Sequence, residues 1–155
     1  MPRVIVVYDS QYGNTERVAK TIVEGMRDAG EIETYLTNVK DVDVDTIANY
    51  DAILLGSPNH AGGPTRSIKK FIDSLSNLPL AGKEFAVFDT YMGKDVEKAA
   101  SKMEQRMREK APELKVLAHG LSIQVEKWKG PIVDGELPKC KEFGTAIAAA
   151  LKLSA

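Results

Sequence analysis

The chain has 155 residues, 43% of them hydrophobic and 28% charged, and a formal net charge of −1. That length fits one domain by the usual prior of roughly 150 residues, is long enough to bury its own core, and reads as soluble and globular. The near-zero charge without a basic stripe argues against nucleic acid, the single Cys140 excludes an internal disulfide or a multi-cysteine metal motif, and the two histidines, His60 and His119, lie too far apart in sequence for a zinc site. Met1-Pro2-Arg3 runs straight into an apolar stretch, leaving no room for a signal peptide. No apolar run approaches the ~20 residues of a membrane span, so the expectation is a cytoplasmic protein with no membrane attachment.

Val4-Ile5-Val6-Val7 is a buried strand, followed by the polar glycine turn Asp9-Ser10-Gln11-Tyr12-Gly13-Asn14-Thr15. From Thr15 to Ala29, Val18, Ile22, Met26 and Ala29 share one face at helical spacing, and Gly30 stops the helix. Residues 31–36 alternate as a half-buried edge strand does, and 41–49 read as a short helix carrying Val44 and Ile47. Ala52-Ile53-Leu54-Leu55-Gly56 is an unbroken apolar strand that empties into a second irregular loop, 57–63. Pro64 opens a helix with Ile68, Phe71, Ile72 and Leu75 on one face. Phe85-Ala86-Val87-Phe88 is a further buried strand, and a third irregular loop spans 89–94. The next helix carries Val96, Ala99, Ala100, Met103 and Met107 inward and ends at Pro112. Residues 114–117 and 121–125 read as one last strand, interrupted or staggered at Gly120. Residues 126–137 are loop-like, and Pro138 begins a closing helix with Phe143, Ile147, Ala150 and Leu151.

Five strands alternating with helices predict an α/β, three-layer, doubly wound parallel sheet with the first, third and fourth strands in the middle. In such a sheet the loops after strands one, three and four all lie at the carboxyl end, over one crevice. The first of these loops sits at a helix N-terminus, where unpartnered N–H groups and the helix dipole favour an anion. Ser10, Tyr12, Asn14 and Thr15 add side-chain donors, and Gly13 permits close backbone approach. An ordinary βα loop with a good N-cap suits the same residues equally, until the convergence of the three loops tips the balance toward a ligand site. The loop has neither the G-x-x-x-x-G-K-[ST] nor the G-x-G-x-x-G pattern, so it is built to hold a phosphate monoester and not to cleave a nucleotide or grip a dinucleotide.

With Ser10-Gln11-Tyr12-Gly13-Asn14-Thr15-Glu16 at the head of the first helix, the chain resembles the flavodoxin family, whose phosphate loop reads T/S-x-T-G-x-T. The resemblance covers essentially the whole chain and looks like the short-chain form. Gly56-Ser57-Pro58 is similar to flavodoxin-like NAD(P)H:quinone oxidoreductases, and residues 137–144 are similar to the flavodoxin domain of A-type (diiron-linked) flavoproteins. It implies one flavodoxin-like domain over residues 1–155, with strand order 2-1-3-4-5 and bound FMN. The phosphate would rest on Ser10, Gln11, Tyr12, Gly13, Asn14 and Thr15. The ring would lie between Pro58, Asn59, His60, Ala61 and Gly62 on one side and Thr90, Tyr91, Met92 and Gly93 on the other, with Tyr91 the stacking wall. Three departures stand out: Tyr12 replaces a small hydroxyl residue, Ala61 stands where a glycine is frequent, and neither ring loop has a tryptophan. Trp128, distant in sequence, reads as a surface or loop-packing residue.

The leading functional expectation is an FMN-binding carrier of electrons between redox proteins or small-molecule acceptors, acting as a monomer or weak homo-oligomer. The cofactor supplies the chemistry, so no catalytic residue and no metal ligand is expected. The alternative is an FMN-dependent NAD(P)H:quinone-type reductase with Arg66, Lys94 or Lys129 near the nicotinamide phosphates. A third is a flavin-free binding or signalling domain. Against the third, Gly56-Ser57 stands where a phosphoacceptor aspartate would, and the first loop has no phosphatase cysteine.

Overall fold

The computed structural model describes residues 1–154. In chain order it has strand β1 (Arg3–Tyr8), helix α1 (Asn14–Ala29), β2 (Glu33–Asn38), a 3₁₀ turn (Val44–Asn49), β3 (Ala52–Pro58) and α2 (Arg66–Ser74). A second 3₁₀ turn (Leu75–Asn77), β4 (Glu84–Tyr91), α3 (Lys98–Lys110), β5 (Lys115–Val116), β6 (Leu121–Gln124) and α4 (Leu137–Ser154) follow. All pairings are parallel, in the order β2-β1-β3-β4-β5, with β6 also on β4. The expected order 2-1-3-4-5 is what forms. The last strand is the interrupted one the sequence implied: β5 and β6 both lie along β4, and Gly120 between them comes so close that an added Cβ would stand 3.1 Å from Val87 Cγ2.

The continuous apolar runs of β1, β3 and β4 are explained by burial on both faces. Strand alternation sends Val4, Val6, Leu54 and Ala86 to one layer, against Val18, Ile22 and Met26 of α1 and Ile147 and Leu151 of α4. The intervening Ile5, Val7, Ile53, Leu55 and Phe85 face Ile68 and Ile72 of α2 and Met103 and Met107 of α3. On the first side α1 and α4 meet backbone to backbone. A Cβ on Gly25 would stand 2.1 Å from Lys141 O, and one on Gly144 would stand 2.1 Å from Ile22 O.

Several boundaries differ from the sequence reading, each for a local reason. The expected helix over 41–49 is a 3₁₀ turn of six residues, started by Asp43, whose side chain accepts from Asp45 N at 3.1 Å. β2 begins at Glu33, where pairing with Arg3 begins. Pro64 does not open α2: Thr65 is its N-cap, accepting from Ile68 N at 3.4 Å, and the helix starts at Arg66. β4 runs on through Asp89, Thr90 and Tyr91, because β3 and β6 offer ladder partners on both sides as far as Pro58 and Gln124. Val96 precedes α3 and is 51% exposed, so it does not belong to that helix's inner face.

The α1–α4 crossing sets two principles against each other. Helix propensity alone favours Gly25→Ala by about 1 kcal/mol. The Cβ, however, meets a backbone carbonyl that cannot move aside, and overpacking of this kind costs about 1–3 kcal/mol. Gly25→Ala is therefore expected to lower stability by up to about 2 kcal/mol in urea unfolding; a gain in stability would show that the two helices can separate.

Candidate functional site

The carboxyl ends of β1, β3, β4 and β6 open into a cavity of about 390 Å³, within the size range of small-ligand sites. From the first loop, Ser10, Gln11, Tyr12, Asn14 and Thr15 line it. Gly13 does not line it; as N-cap of α1 it takes φ +90°, a left-handed turn that glycine adopts without cost. Ser10 Oγ accepts from Gly13 N at 3.1 Å and from Glu16 N at 3.3 Å, which curls the loop over the helix end. The buried Thr15 hydroxyl pairs with that of Thr90 at 2.9 Å, joining the head of α1 to the end of β4. Glu16, in the first turn of α1, is tied to Tyr8 Oη at 2.9 Å and Lys20 Nζ at 3.2 Å. These bonds, Tyr8's first, hold its carboxyl below the usual range, while burial foremost and Glu16 next push the Tyr8 phenol up to about 12.

From the second loop Pro58, Asn59, His60 and Ala61 line the cavity. His60 and Gly63 exchange backbone hydrogen bonds of 2.7 and 3.1 Å across a tight turn whose central residues, Ala61 and Gly62, have φ +50° and +80°. Gly62 shapes the turn without lining the cavity, and Ala61 accepts a conformation that ordinarily disfavours a Cβ. Asn59 N donates to Thr90 O at 2.9 Å, and Asn59 Nδ2 to Asp95 Oδ2 at 2.9 Å, so the second and third loops are stitched together. Asn59 Oδ1 is buried with no hydrogen-bond partner, the one such side-chain atom among the described residues.

The third side is Thr90, Tyr91, Met92 and Asp95, with Gly93 outside the lining at φ +66°. Val125 and Trp128 complete the wall. The sequence reading placed Trp128 at the surface or in loop packing. It is indeed 66% exposed, but it also stands over the first loop, its ring 5.6 Å from that of Tyr12 at 64°. A narrow loop puts it there: Val125 bridges Ile132, Glu126 N donates to Pro131 O at 2.9 Å, and Val133 N donates to Gln124 O at 2.9 Å. Lys129 Nζ lies 5.6 Å from the Tyr12 ring centroid, in cation–π range. A signal was available in the sequence, since the loop after β6 leaves the same sheet end as the other three.

Beneath the third loop lies a buried support. Asp89 is fully buried; Oδ1 accepts from Ser122 Oγ at 2.5 Å and Oδ2 from Ala100 N at 2.8 Å, while Ser122 Oγ accepts from Glu97 N at 2.9 Å. The network fastens β4, β6 and the start of α3 at the base of the cavity wall. Burial pushes the Asp89 carboxyl up to about 6, outweighing the donors that pull it down, Ser122 and the backbone N–H groups of Ala100 and Ala99. With the folded-state value above the unfolded one, the folded protein holds the proton more tightly. The resulting stability is complete below about pH 4 and is lost as pH rises through 6, a change of ~3 kcal/mol. Urea unfolding from pH 4 to 7 should therefore show wild type losing stability relative to Asp89→Asn as pH rises; a constant difference would remove Asp89 from the pH response.

Comparison with known proteins places this architecture. The flavodoxin-domain family model matches residues 5–124. A flavodoxin of Clostridium saccharobutylicum is 36% identical over 88 residues, 57% of this chain and 55% of the relative. One from Aquifex aeolicus is 31% identical over 75 residues, 48% of this chain and 40% of the relative, so the chain spans about half or less of the curated relatives it matches. Among solved structures, a flavodoxin from the domain Archaea superposes with TM-score 0.82 at 29% identity, covering 97% of this chain and 99% of that one. Flavodoxin 2 of Bacillus cereus gives 0.81 at 29% identity, covering 95% and 98%. With the family model matching residues 5–124, well over half of the chain, the chain belongs to the flavodoxin family.

Proposed function

We propose that this chain, acting as a single flavodoxin-like domain, binds FMN and carries electrons between redox partners. The observation that carries the reading is one continuous cavity joining an anion-favouring helix end to flat side chains. Residues 10–15 include no carboxylate, and the first N–H groups of α1 have no intrahelical acceptor, so a phosphate dianion fits them in charge and in hydrogen bonding. Asn14 and Thr15 offer backbone donors, and Ser10, whose Oγ already receives the N–H groups of Gly13 and Glu16, still has its own hydroxyl proton to give. Tyr91, Met92, His60 and Trp128 supply the broad surfaces that an aromatic ring system needs. The lone pairs of Asn59 Oδ1, buried and unpartnered, suit a ring N–H.

FMN, when bound, supplies one- and two-electron chemistry of its own. The chain's residues then bind, orient and exclude water, and none has to serve as acid, base or nucleophile. Among the described residues no helix is long and apolar enough to cross a membrane, and no cluster of metal-binding side chains occurs. The proposal extends to a carrier working in the cytoplasm as a monomer or weak homo-oligomer, with no nucleic acid partner.

Purified protein should be yellow, release FMN on denaturation, and stay oxidised when NADPH is the sole reductant; rapid bleaching by NADPH would make it a reductase instead. Asn14→Asp, at a residue that lines the cavity, sets a carboxylate against the phosphate, and like charges so placed cost several kcal/mol. FMN affinity should fall on the order of 100-fold or more, read by absorbance titration of the apoprotein; wild-type affinity would remove the phosphate from this loop. Trp128 is the only tryptophan, so adding FMN to apoprotein should quench the whole indole emission. Unchanged emission would place the ligand away from that wall.

A further inference from the structure

The narrow loop after β6 meets the first loop at three successive residues. Gly130 N donates to Lys127 O at 2.7 Å, closing a turn with Trp128 and Lys129 at its tip. The Trp128 ring stands 5.6 Å from that of Tyr12, and Lys129 Nζ lies 5.6 Å from the centre of the same ring. Gly130 sits against Asn14: a Cβ on it would stand 2.7 Å from Asn14 Oδ1, 2.9 Å from Nδ2 and 3.1 Å from the carbon between them. Only a residue without a side chain admits the amide there, and φ of +100° at Gly130 favours glycine a second time. The base of this loop is fixed without help from the first one, because Val125 bridges Ile132 and Glu136 Oε1 accepts from Gln124 N at 2.9 Å. The turn therefore meets Asn14 as a firm stop. Asn14 itself is half-buried, lines the cavity as the first residue of α1, and its amide has no hydrogen-bond partner among the described residues. Confinement against Gly130 removes rotamers before any ligand arrives, so the amide donor is aimed in advance.

We propose that Gly130 is a positioning residue: it holds the Asn14 amide at the anion end of the cavity, and so makes the site select a flavin bearing a terminal phosphate over the same flavin without one. The proposal rests on the FMN reading and adds to it a residue more than a hundred positions from the first loop. The ring walls serve both ligands alike, so the preference arises at the end that meets the phosphate. There a well-aimed hydrogen bond to a charged oxygen changes affinity about tenfold.

The test titrates apoprotein with FMN and with riboflavin, in a double-mutant cycle of Gly130→Ala and Asn14→Ala. Gly130→Ala should lower the ratio of FMN to riboflavin affinity about tenfold. In the Asn14→Ala background the same substitution should leave that ratio unchanged, because the collision needs the amide whereas backbone strain at residue 130 does not. Trp128→Ala removes a wall but keeps the Asn14–Gly130 contact, and should weaken both flavins alike. The proposal is overturned by wild type that binds the two flavins equally, by Gly130→Ala weakening both to the same extent, or by a ratio that shifts equally with and without the Asn14 amide. A chain that takes up neither flavin overturns the cofactor reading instead, and the contact is then judged by NMR of the Asn14 side-chain NH₂ on titration with inorganic phosphate. Signals that shift in wild type and not in Gly130→Ala support the positioning role; the same shift in both, or none in either, overturns it.

Discussion

Everything at the mouth depends on where α1 is held, and two missing side chains hold it. Gly25 and Gly144 let the backbones of α1 and α4 approach to a distance at which any Cβ would collide with a carbonyl. On its other side α1 rests Val18, Ile22 and Met26 on the alternate residues of β1 and β3. A helix gripped on both sides cannot slide, so its N-terminus stays at the level of the strand ends. The first loop inherits that position, and with it the distance to the walls formed by β3 and β4. Packing far from the cavity therefore fixes the placement of the donors inside it.

Much of this was legible in the sequence because burial leaves strong periodic traces. The uninterrupted apolar runs at 4–7, 52–56 and 85–88 marked central parallel strands, and the helical faces of α1 and α2 were plain from spacing. The last strand's interruption at Gly120 was readable for the same reason, a glycine between two short apolar stretches. What the sequence concealed was set by contact between distant segments. β4 extends to Tyr91 because neighbours on both sides offer hydrogen bonds, a fact invisible in the polar Asp89-Thr90-Tyr91. Thr65 outcompetes Pro64 for the start of α2 because its hydroxyl can accept from Ile68 N while donating to Asp9.

The cavity was legible to the same degree. Three loops leaving one sheet end could be identified from topology alone, and the structure brings their side chains together. Gly13, Gly62 and Gly93 prove to be turn-makers at positive φ, outside the lining, because a residue chosen for backbone freedom has no side chain to present. Asp95 and Trp128 escaped the reading for opposite reasons. Asp95 enters through its bond to Asn59, and Trp128 through a narrow loop closed by backbone pairing far along the chain.

The hydroxyl pair between Thr15 and Thr90 has a consequence for selectivity. It is a buried strut, 2.9 Å long, between the helix that would receive an anion and the strand that carries a flat wall. With both anchorages tied to one another, their separation is a fixed span and the cavity behaves as a gauge. A ligand whose anionic end and ring match that span fills both places at once, and the second contact is gained at high effective concentration. One lacking the anion, or joined by a shorter chain, satisfies a single end and forfeits that gain.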